Sequence, residues 1–244
     1  MPVDKGVLEE IALRYHLSDA VPDMFIENIC QEYTFPWLRG HLADAMRVLE
    51  LGYGDGLVTK DLIDQGHIVT VVEGAKSVVD AAHNKWGSQL TIYHSLFEEF
   101  STAERFDAIL ATHVLEHLED PSALLRRVAG WLRPNGQVIV IVPNCESIHR
   151  QLAVRMGLQA ALDTLGERDY KVGHQRVYSL ATLRSDVESA GLEVVEEKGF
   201  FLKVLPNAMM LDYQPKLLIA LNEVGDLLPA RYMANIAIVA RLPQ

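Results

Sequence analysis

The chain has 244 residues, 49 % of them hydrophobic and 23 % charged, a globular composition that disfavours disordered, collagen-like and coiled-coil architectures. Lys and Arg total 22 against 33 Asp and Glu, and the formal net charge of −11 repels a polyanion such as nucleic acid. Two cysteines cannot build the disulfide framework of a small secreted domain. We see no signal peptide and no membrane-spanning apolar run, so we expect a soluble cytoplasmic protein that needs no membrane.

The hydrophobic pattern predicts one α/β domain over residues 1–244, with N-terminal helices in residues 1–46 and the core in residues 47–142. From Arg47 onward, short β-branched runs alternate with amphipathic stretches, which is typical of βαβ units and a parallel sheet. The predicted strands cover residues 47–51, 67–72, 90–93, 106–111, 137–142, 193–201 and 234–241. The predicted helices between them cover residues 57–65, 75–86, 121–132 and 179–190, and residues 133–136 form a turn.

Two insertions interrupt this alternation, at residues 144–172 and 204–230, and we expect both to be helical cap segments. Each insertion follows a strand, so both project from the carboxyl edge of the sheet, where open α/β sheets bind ligands. Together with the N-terminal helices they predict a lid over a pocket. Peripheral packing or the contact of a homodimer is the alternative use of these segments.

Aromatic and methionine side chains near the predicted pocket have two interpretations. Tyr33, Phe35 and Trp37 can cover the cleft, but core packing is favoured because aromatic side chains dominate protein cores. Met209 and Met210 fit plain lid packing or the lining of an adaptable pocket.

Glycines 52, 54 and 56 stand directly between the first predicted strand and the first helix after it. Small residues there let the backbone turn sharply and let a ligand approach the main chain, although an ordinary turn is the alternative. A dinucleotide-binding loop requires a small residue where Leu57 stands, and the Gly-Lys-Ser/Thr of a P-loop does not follow. Glu50, two residues before the first glycine, suits a ligand that carries an ammonium group.

Glu73 stands at the tip of the second predicted strand, 21 residues beyond Gly52. An acid at the tip of this neighbouring strand is placed to accept hydrogen bonds from both hydroxyls of a ribose. A surface glutamate in a turn is the alternative, but the glycine loop next to it favours the ribose role.

Val48 to Gly56, Val72 to Ala75, and Phe106 to Pro121 followed by Leu132 to Gly136 together resemble a known family. They are similar to the class I S-adenosylmethionine (SAM) dependent methyltransferases, in the branch that includes ubiquinone-pathway and small-molecule enzymes. The resemblance implies a Rossmann-like, mostly parallel seven-stranded sheet with an antiparallel last strand and a helical cap. It also implies that SAM lies across the carboxyl edge and leaves as S-adenosylhomocysteine.

Carried over by position, the resemblance also implies which residues contact the donor. Gly52, Tyr53, Gly54 and Gly56 would wrap its methionine part, with Glu50 near its ammonium, Glu73 and Gly74 at the ribose, Ser95, Leu96 and Phe97 beside the adenine, and Thr112 and His113 beside the methyl group. Many relatives have an Asp where Ser95 stands.

Two histidines are candidates for a general base, which a hydroxyl acceptor needs and an unprotonated amine does not. His113 follows the fourth predicted strand, and the alternative is a ring that bonds the backbone and shapes the cofactor turn. His174 ends the first insertion, at a junction that often borders the acceptor site in related methyltransferases. Arg176 and Tyr178 are therefore substrate-binding candidates, unless this segment only caps the next helix through Ser179.

The segment from His113 to His117 matches the H-x-x-E-H string of inverted zinc proteases. In that interpretation both histidines lie on one helix face and bind zinc, and Glu116 is the base. Here the string follows a buried strand and abuts Asp120-Pro121, so the long helix is missing. We therefore expect no metal, and we expect His117 to be a structural neighbour of the turn.

These observations predict a methyltransferase that carries a methyl group from SAM to an oxygen or nitrogen of a small molecule, such as a metabolite, a natural product or a sugar. An apolar or cationic acceptor fits the negative net charge better than a polyanion does. The alternatives are a protein or RNA methyltransferase, a nicotinamide-dependent dehydrogenase and a non-catalytic SAM-binding module.

Overall fold

The computed structural model describes residues 5–18 and 21–243 of the chain. Its strands are β1 (Arg47–Leu51), β2 (Ile68–Glu73), β3 (Thr91–His94), β4 (Phe106–Thr112), β5 (Leu132–Pro143), β6 (Glu193–Phe200) and β7 (Asn235–Arg241). Its α-helices are α1 (Lys5–Ile11), α2 (Met24–Glu32), α3 (Phe35–His41), α4 (Leu57–Asp64), α5 (Lys76–Trp86), α6 (Pro121–Trp131), α7 (Ile148–Arg155), α8 (Glu167–Lys171), α9 (Leu180–Ser189) and α10 (Pro215–Gly225).

The seven strands form one sheet in the order β3-β2-β1-β4-β5-β7-β6. β7 runs antiparallel to β5 and β6, and the other neighbours pair in parallel. The Rossmann-like α/β fold with an antiparallel last strand is therefore confirmed. Because parallel strands end at one edge of a sheet, Leu51, Glu73, Thr112 and Pro143 all lie along the carboxyl edge.

The sheet is buried on both faces, which makes it a rigid platform for that edge. Ile109 of β4 belongs to one hydrophobic cluster, while its neighbours Ala108 and Leu110 belong to another on the opposite face. Residues 138–142 of β5 are at most 3 % exposed. A continuous apolar run of this kind is typical of a central strand covered by helices on both sides.

Helix starts follow the predicted signals. α6 begins at Pro121, and the carboxylate of Asp120 accepts a hydrogen bond from the backbone N–H of Ala123 at 2.9 Å. Ser179 caps α9, because its hydroxyl accepts from the Thr182 N–H at 3.2 Å while the Thr182 hydroxyl accepts from the Ser179 N–H at 2.9 Å.

One predicted turn lies inside a strand. β5 begins at Leu132 instead of residue 137, because Leu132 already pairs with Phe106 of β4. The register then shifts before Ala108 pairs with Gln137, so the predicted turn at residues 133–136 is absorbed as an irregularity of the strand.

The insertions are only partly helical. The first contains α7 and α8 and the second contains α10, and irregular segments join them to the strands. No helix in the described part of the chain is long and apolar enough to cross a bilayer.

Candidate active site

A cavity of about 1040 Å³ opens at the carboxyl edge of the sheet. Its walls come from the glycine loop after β1, the N-terminal segment, the first insertion and the start of the second insertion. Ligand pockets commonly measure about 300–1,000 Å³, so this cavity is large enough for a nucleoside-sized donor with a small acceptor beside it. The predicted arrangement of N-terminal helices and insertions around a pocket is present.

The glycine loop exposes its backbone to this cavity. Gly52 and Gly54 have positive φ values of 80° and 57°, which side chains rarely adopt. A Cβ atom added at either position would meet only ordinary contacts, at 3.7 Å and 3.8 Å, so a ligand can lie directly against the main chain there. Gly56 is different, because a Cβ atom there would come within 2.3 Å of the Tyr53 hydroxyl. Gly56 therefore makes room for a side chain and not for a ligand.

Tyr53 contributes its backbone to the site while its ring belongs to the core. The side chain is 5 % exposed, and its hydroxyl accepts a hydrogen bond from the indole N–H of Trp86 at 3.0 Å. Its backbone N–H instead donates to Oε2 of Glu73 at 3.0 Å.

Glu73 lies at the tip of β2 and joins the second strand to the glycine loop. Besides the bond from Tyr53, its Oε1 accepts from the backbone N–H of Ala75 at 2.7 Å. A carboxylate has about four acceptor positions, so a partly exposed Glu73 still has lone pairs for the two hydroxyls of a ribose. The predicted proximity of Glu73 to the glycine loop is therefore present, and Gly74 lines the same cavity.

Glu50 is 1 % exposed at the end of β1 and also lines the cavity. Its Oε2 accepts a hydrogen bond from the Thr59 hydroxyl at 2.5 Å. Burial raises the pKa of the Glu50 carboxyl to about 8, because the bond from Thr59 only partly offsets the loss of solvation. An ammonium group brought beside it would favour the ionised form.

The segment after β3 forms another wall of the cavity with Ser95, Leu96 and Phe97. The Ser95 N–H donates to the Glu73 carbonyl at 2.9 Å, which extends the line of β3 beside β2. The Ser95 hydroxyl donates to the Leu96 carbonyl at 3.0 Å. Leu96 and Phe97 give this part of the wall an apolar surface against which a planar ring can pack.

The N-terminal segment approaches the same place, which sequence reasoning predicted only as a general lid. The His16 ring lies 3.8 Å from the position of a Gly54 Cβ atom, and Leu8 lies 3.0 Å from that of Gly74. Glu9 accepts hydrogen bonds from the backbone N–H groups of Lys76 and Ser77 at the start of α5. These contacts join distant parts of the chain, so no local sequence signal points to His16.

His113 follows β4 in a left-handed conformation with φ 56°, which is rare for a residue with a side chain. Its N–H donates to the Ile141 carbonyl at 2.8 Å, and this bond holds the turn beside β5. The side chain faces the cavity and is 42 % exposed for that reason. Backbone outliers of this kind concentrate at functional sites.

Glu116 lies under His113, with 3.3 Å between the His113 Nδ1 and the Glu116 Oε1. Neither oxygen of this fully buried carboxylate accepts a well-aligned hydrogen bond from any described residue. Burial lowers the pKa of His113, but the adjacent Glu116 carboxylate outweighs it and holds that pKa above its ordinary value. Burial likewise raises the pKa of Glu116, yet the surrounding histidines keep it below its ordinary value.

His174 joins the same group from the first insertion. Its Nδ1 lies 3.0 Å from Asp169 Oδ1, and its Nε2 lies 4.0 Å from Glu116 Oε1. Its ring packs edge-on against His117, with 4.8 Å between the ring centroids. The structure therefore brings together the two histidines predicted as bases, and both contact the same buried glutamate.

Glu116, His117 and His174 form the group of described residues that can hold a metal ion, since their ligand atoms lie within 4.8 Å of one another. One carboxylate and two imidazoles suit a divalent transition metal. The zinc-protease arrangement is not the one observed. A single short 3-10 helix covers Leu115–His117, and His113 precedes it in the left-handed conformation.

Arg176 and Tyr178 do not line the cavity. Tyr178 is 2 % exposed, and its hydroxyl donates to Asp186 at 3.0 Å. Arg176 donates to the carbonyls of Leu118 and Glu119 at 2.7 Å and 3.0 Å. Their expected substrate contacts are therefore replaced by structural bonds that fix the junction before α9.

None of the aromatic and methionine candidates lines the cavity. The Trp37 indole N–H donates to Glu196 at 2.7 Å, the Tyr33 hydroxyl donates to Asp226 at 2.7 Å, and Phe35 is 8 % exposed. Met210 is fully buried, Met209 is 60 % exposed, and neither lines the cavity.

A family model described as a methyltransferase domain matches residues 24–197. A ubiquinone biosynthesis O-methyltransferase of Coxiella burnetii is 30 % identical over 166 residues, which are 66 % of this chain and 69 % of that protein. The protein of the same name from Rickettsia felis is 27 % identical over 124 residues, which are 49 % of this chain and 51 % of that protein. The chain thus spans about half the length of the second of these relatives.

Solved structures share the fold. The 1,6-didemethyltoxoflavin-N1-methyltransferase of Burkholderia thailandensis superposes with a TM-score of 0.67 at 17 % identity, covering 100 % of this chain and 93 % of that one. The N-methyltransferase NodS of Bradyrhizobium japonicum superposes with a TM-score of 0.58 at 18 % identity, covering 98 % and 99 %. The chain therefore belongs to the class I SAM-dependent methyltransferases.

Proposed function

We propose that the protein transfers a methyl group from SAM to an oxygen or nitrogen of a small-molecule acceptor. The hydrogen bond from Tyr53 to Glu73 carries this proposal, because it places a ligand-accessible loop next to an acid suited to a ribose. The cavity continues from there to His113. The names of the curated relatives, which are O-methyltransferases, support the same reaction class.

The residues around the cavity fit the donor. The backbone of Gly52, Tyr53 and Gly54 would hold the methionine part, with Gly56 shaping the loop and Glu50 near the ammonium. Glu73 and Gly74 would hold the ribose, Ser95, Leu96 and Phe97 would enclose the adenine, and the backbone of Thr112 and His113 would close the site. SAM supplies a methyl group on a sulfonium, which is a good leaving group, so the protein must orient the acceptor and exclude water. Orientation of this kind contributes roughly 7–11 kcal/mol at best.

His113 is the base that the geometry favours for a hydroxyl acceptor. Its Nδ1 faces Glu116 at 3.3 Å, which leaves Nε2 as the nitrogen that can take a proton from the acceptor. Both nitrogens of His174 face carboxylates, at 3.0 Å and 4.0 Å. His174 is therefore better placed to support Glu116 and the turn than to touch the acceptor.

We further propose that the chain works as one domain in the cytoplasm, without nucleic acid as a partner. The net charge of −11 opposes a polyanionic acceptor. A homodimer is compatible with this proposal, because the cavity is built from residues of one chain.

Calorimetry with S-adenosylhomocysteine and with NAD tests the donor. We expect S-adenosylhomocysteine to bind and NAD not to bind, since Leu57 occupies the position where a dinucleotide loop needs a small residue. Transfer of a radiolabelled methyl group from SAM to a panel of small hydroxyl and amine compounds then tests the reaction. Binding of the donor without transfer to any compound would favour a non-catalytic SAM-binding module.

A further inference from the structure

Lys203 reaches the cavity through an unusual turn at the end of β6. Phe201, directly after the strand, has a φ of 66°, although its large side chain disfavours this left-handed conformation. Its carbonyl accepts hydrogen bonds from the N–H groups of Lys203 and Ala234, both at 2.8 Å. The turn is thus fixed to the start of β7, and it directs Lys203 into the cavity wall.

Other cations of this wall already have anionic partners. Arg150 pairs with Asp169 at 2.8 Å. Arg168 pairs with Asp23 and with Glu27, the latter at 3.1 Å. The side-chain ammonium of Lys203 makes no hydrogen bond and no ion pair within 4 Å with any residue in the described part of the chain.

His149 stands beside Lys203 at the start of α7 and lines the same wall. Its Nδ1 is buried and has no hydrogen-bond partner among the described residues. Burial lowers the pKa of His149 to about 3, and the charges of Lys203 and Arg150 add to this effect. The ring is therefore neutral, with one polar atom left unsatisfied next to an unpaired ammonium.

We propose that Lys203, assisted by His149, binds a carboxylate group of the methyl acceptor. Burial disfavours the ammonium form of Lys203 and lowers its pKa, and a charge-assisted hydrogen bond to a bound carboxylate restores that form. A singly charged group suits this wall better than a dianion, because Asp23 and Glu27 lie close to Lys203. The inference rests on the proposed function and names the acceptor class for the same cavity.

This assignment differs from what net charge suggests. The chain as a whole carries −11, which favours an apolar or cationic acceptor. Lys203 is a local exception at the wall, and short-range contacts inside a cavity outweigh a mean field that solvent screens. The methyl-accepting oxygen or nitrogen would then lie toward His113, with the carboxylate held at Lys203.

Calorimetry with two small probes tests the proposal without knowledge of the natural acceptor. Benzoate and benzyl alcohol have similar shapes and differ in charge, and each is titrated into protein saturated with S-adenosylhomocysteine. We expect benzoate to bind about 10- to 100-fold more tightly than benzyl alcohol, as one charge-assisted hydrogen bond predicts. Lys203→Gln should remove this preference, Lys203→Arg should keep it, and His149→Leu should weaken it by about 2- to 10-fold.

Lys216→Gln is the matched control, because Lys216 is exposed on α10 and does not line the cavity. It should leave the preference for benzoate unchanged. A wild-type protein that shows no such preference, or a Lys203→Gln variant that retains it, overturns the proposal. Binding of S-adenosylhomocysteine is measured on every variant: its retention shows that the fold and the donor site are intact, whereas its loss in the wild type would count against the proposed function itself.

Discussion

The backbone N–H of Tyr53 and the carboxylate of Glu73 are joined by a hydrogen bond of 3.0 Å across 20 residues of sequence. This bond fixes the glycine loop after β1 to the tip of β2. Because the second carboxylate oxygen is fixed by the Ala75 N–H at 2.7 Å, the acid is oriented before any ligand arrives. A carboxylate that is already oriented as a hydrogen-bond acceptor loses less conformational entropy on binding than a mobile one.

Replacing Glu73 should therefore reduce the affinity for the donor more than it reduces the stability of the fold. Glu73→Gln removes the charge and turns one acceptor oxygen into a donor, so both backbone bonds and the ribose hydroxyls compete for one oxygen. We expect S-adenosylhomocysteine to bind about 10- to 100-fold more weakly by calorimetry. Glu193→Gln, at the exposed start of β6, is the control and should change nothing. Equal affinity in both variants would remove Glu73 from the donor site.

Gly54 and Gly66 allow backbone strain to be separated from ligand contact. Both have positive φ values, 57° and 81°, so replacing either by Ala should cost about 1–2 kcal/mol of folding free energy. An added methyl group at Gly66 meets nothing within 4 Å, whereas at Gly54 it enters the cavity wall beside His16. Gly54→Ala alone should then also weaken the binding of S-adenosylhomocysteine. We expect a loss of affinity of roughly tenfold or more, which corresponds to about 1.4 kcal/mol. Thermal unfolding and calorimetry measure the two effects, and similar donor affinities in the two variants would contradict the assigned loop.

The buried carboxyl of Glu50 should make the affinity for the donor depend on pH. Its pKa of about 8 means that the free protein holds Glu50 protonated at neutral pH. A bound ammonium favours the carboxylate, so binding should release a proton and affinity should rise with pH up to about 8, by at most roughly tenfold per pH unit. Glu50→Gln should abolish this rise. Calorimetry in buffers of different ionisation enthalpy detects the proton, and a wild type that binds without releasing one would place the ammonium elsewhere.

Removing the imidazole of His113 should slow turnover with a hydroxyl acceptor. His113→Ala should reduce turnover by about 10²- to 10⁴-fold, while S-adenosylhomocysteine still binds. His174→Ala should cost less, because Asp169 engages one ring nitrogen and the other faces the buried Glu116 carboxylate at 4.0 Å. Full turnover in the His113 variant would mean that the reaction needs no base from this residue.

Glu116 should set the pH midpoint of that reaction. A base must be unprotonated, so turnover should rise with pH through the pKa of His113, which the Glu116 carboxylate holds above its ordinary value of about 6.5. Glu116→Gln removes that charge and should shift the midpoint to lower pH. A midpoint that stays in place would show that Glu116 does not act on the titrating group.

Chelation distinguishes acid–base chemistry from metal chemistry at the same cluster. If His113 is the base, dialysis against EDTA should leave turnover unchanged within about twofold, because no step of that mechanism uses a metal. Glu116, His117 and His174 can nevertheless hold an ion. Turnover lost to EDTA and restored by a divalent metal would contradict the metal-free mechanism and make those three residues the candidate ligands.

Part of the fold and of the site can be predicted from the sequence, because local patterns specify it. β1 covers residues 47–51 as predicted, since an apolar run before glycines defines both of its ends. The pairing of the glycine loop with Glu73 follows from the fixed geometry of consecutive parallel strands. The predicted start of β5 was wrong. The sequence from Arg133 to Gly136 is typical of a turn, but the pairing of Leu132 with Phe106 extends the strand through these residues.

Other parts depend on tertiary contacts that no local pattern encodes. His16 meets Gly54 and His174 meets Glu116 only because separate segments fold over one edge of the sheet. Lys203 is one lysine in an ordinary apolar stretch until the turn at Phe201 is seen. Tyr178 had the position of a substrate contact in the sequence, but its bond to Asp186 makes it part of the core.

A crystal structure of the complex with S-adenosylhomocysteine would show where the donor lies. We expect both ribose hydroxyls within about 3.2 Å of the Glu73 carboxylate and the amino-acid tail against Gly52 and Gly54. The sulfur should face the open part of the cavity on the side of His113. A nucleoside bound elsewhere, or a ribose that leaves Glu73 without a contact, would contradict this expectation.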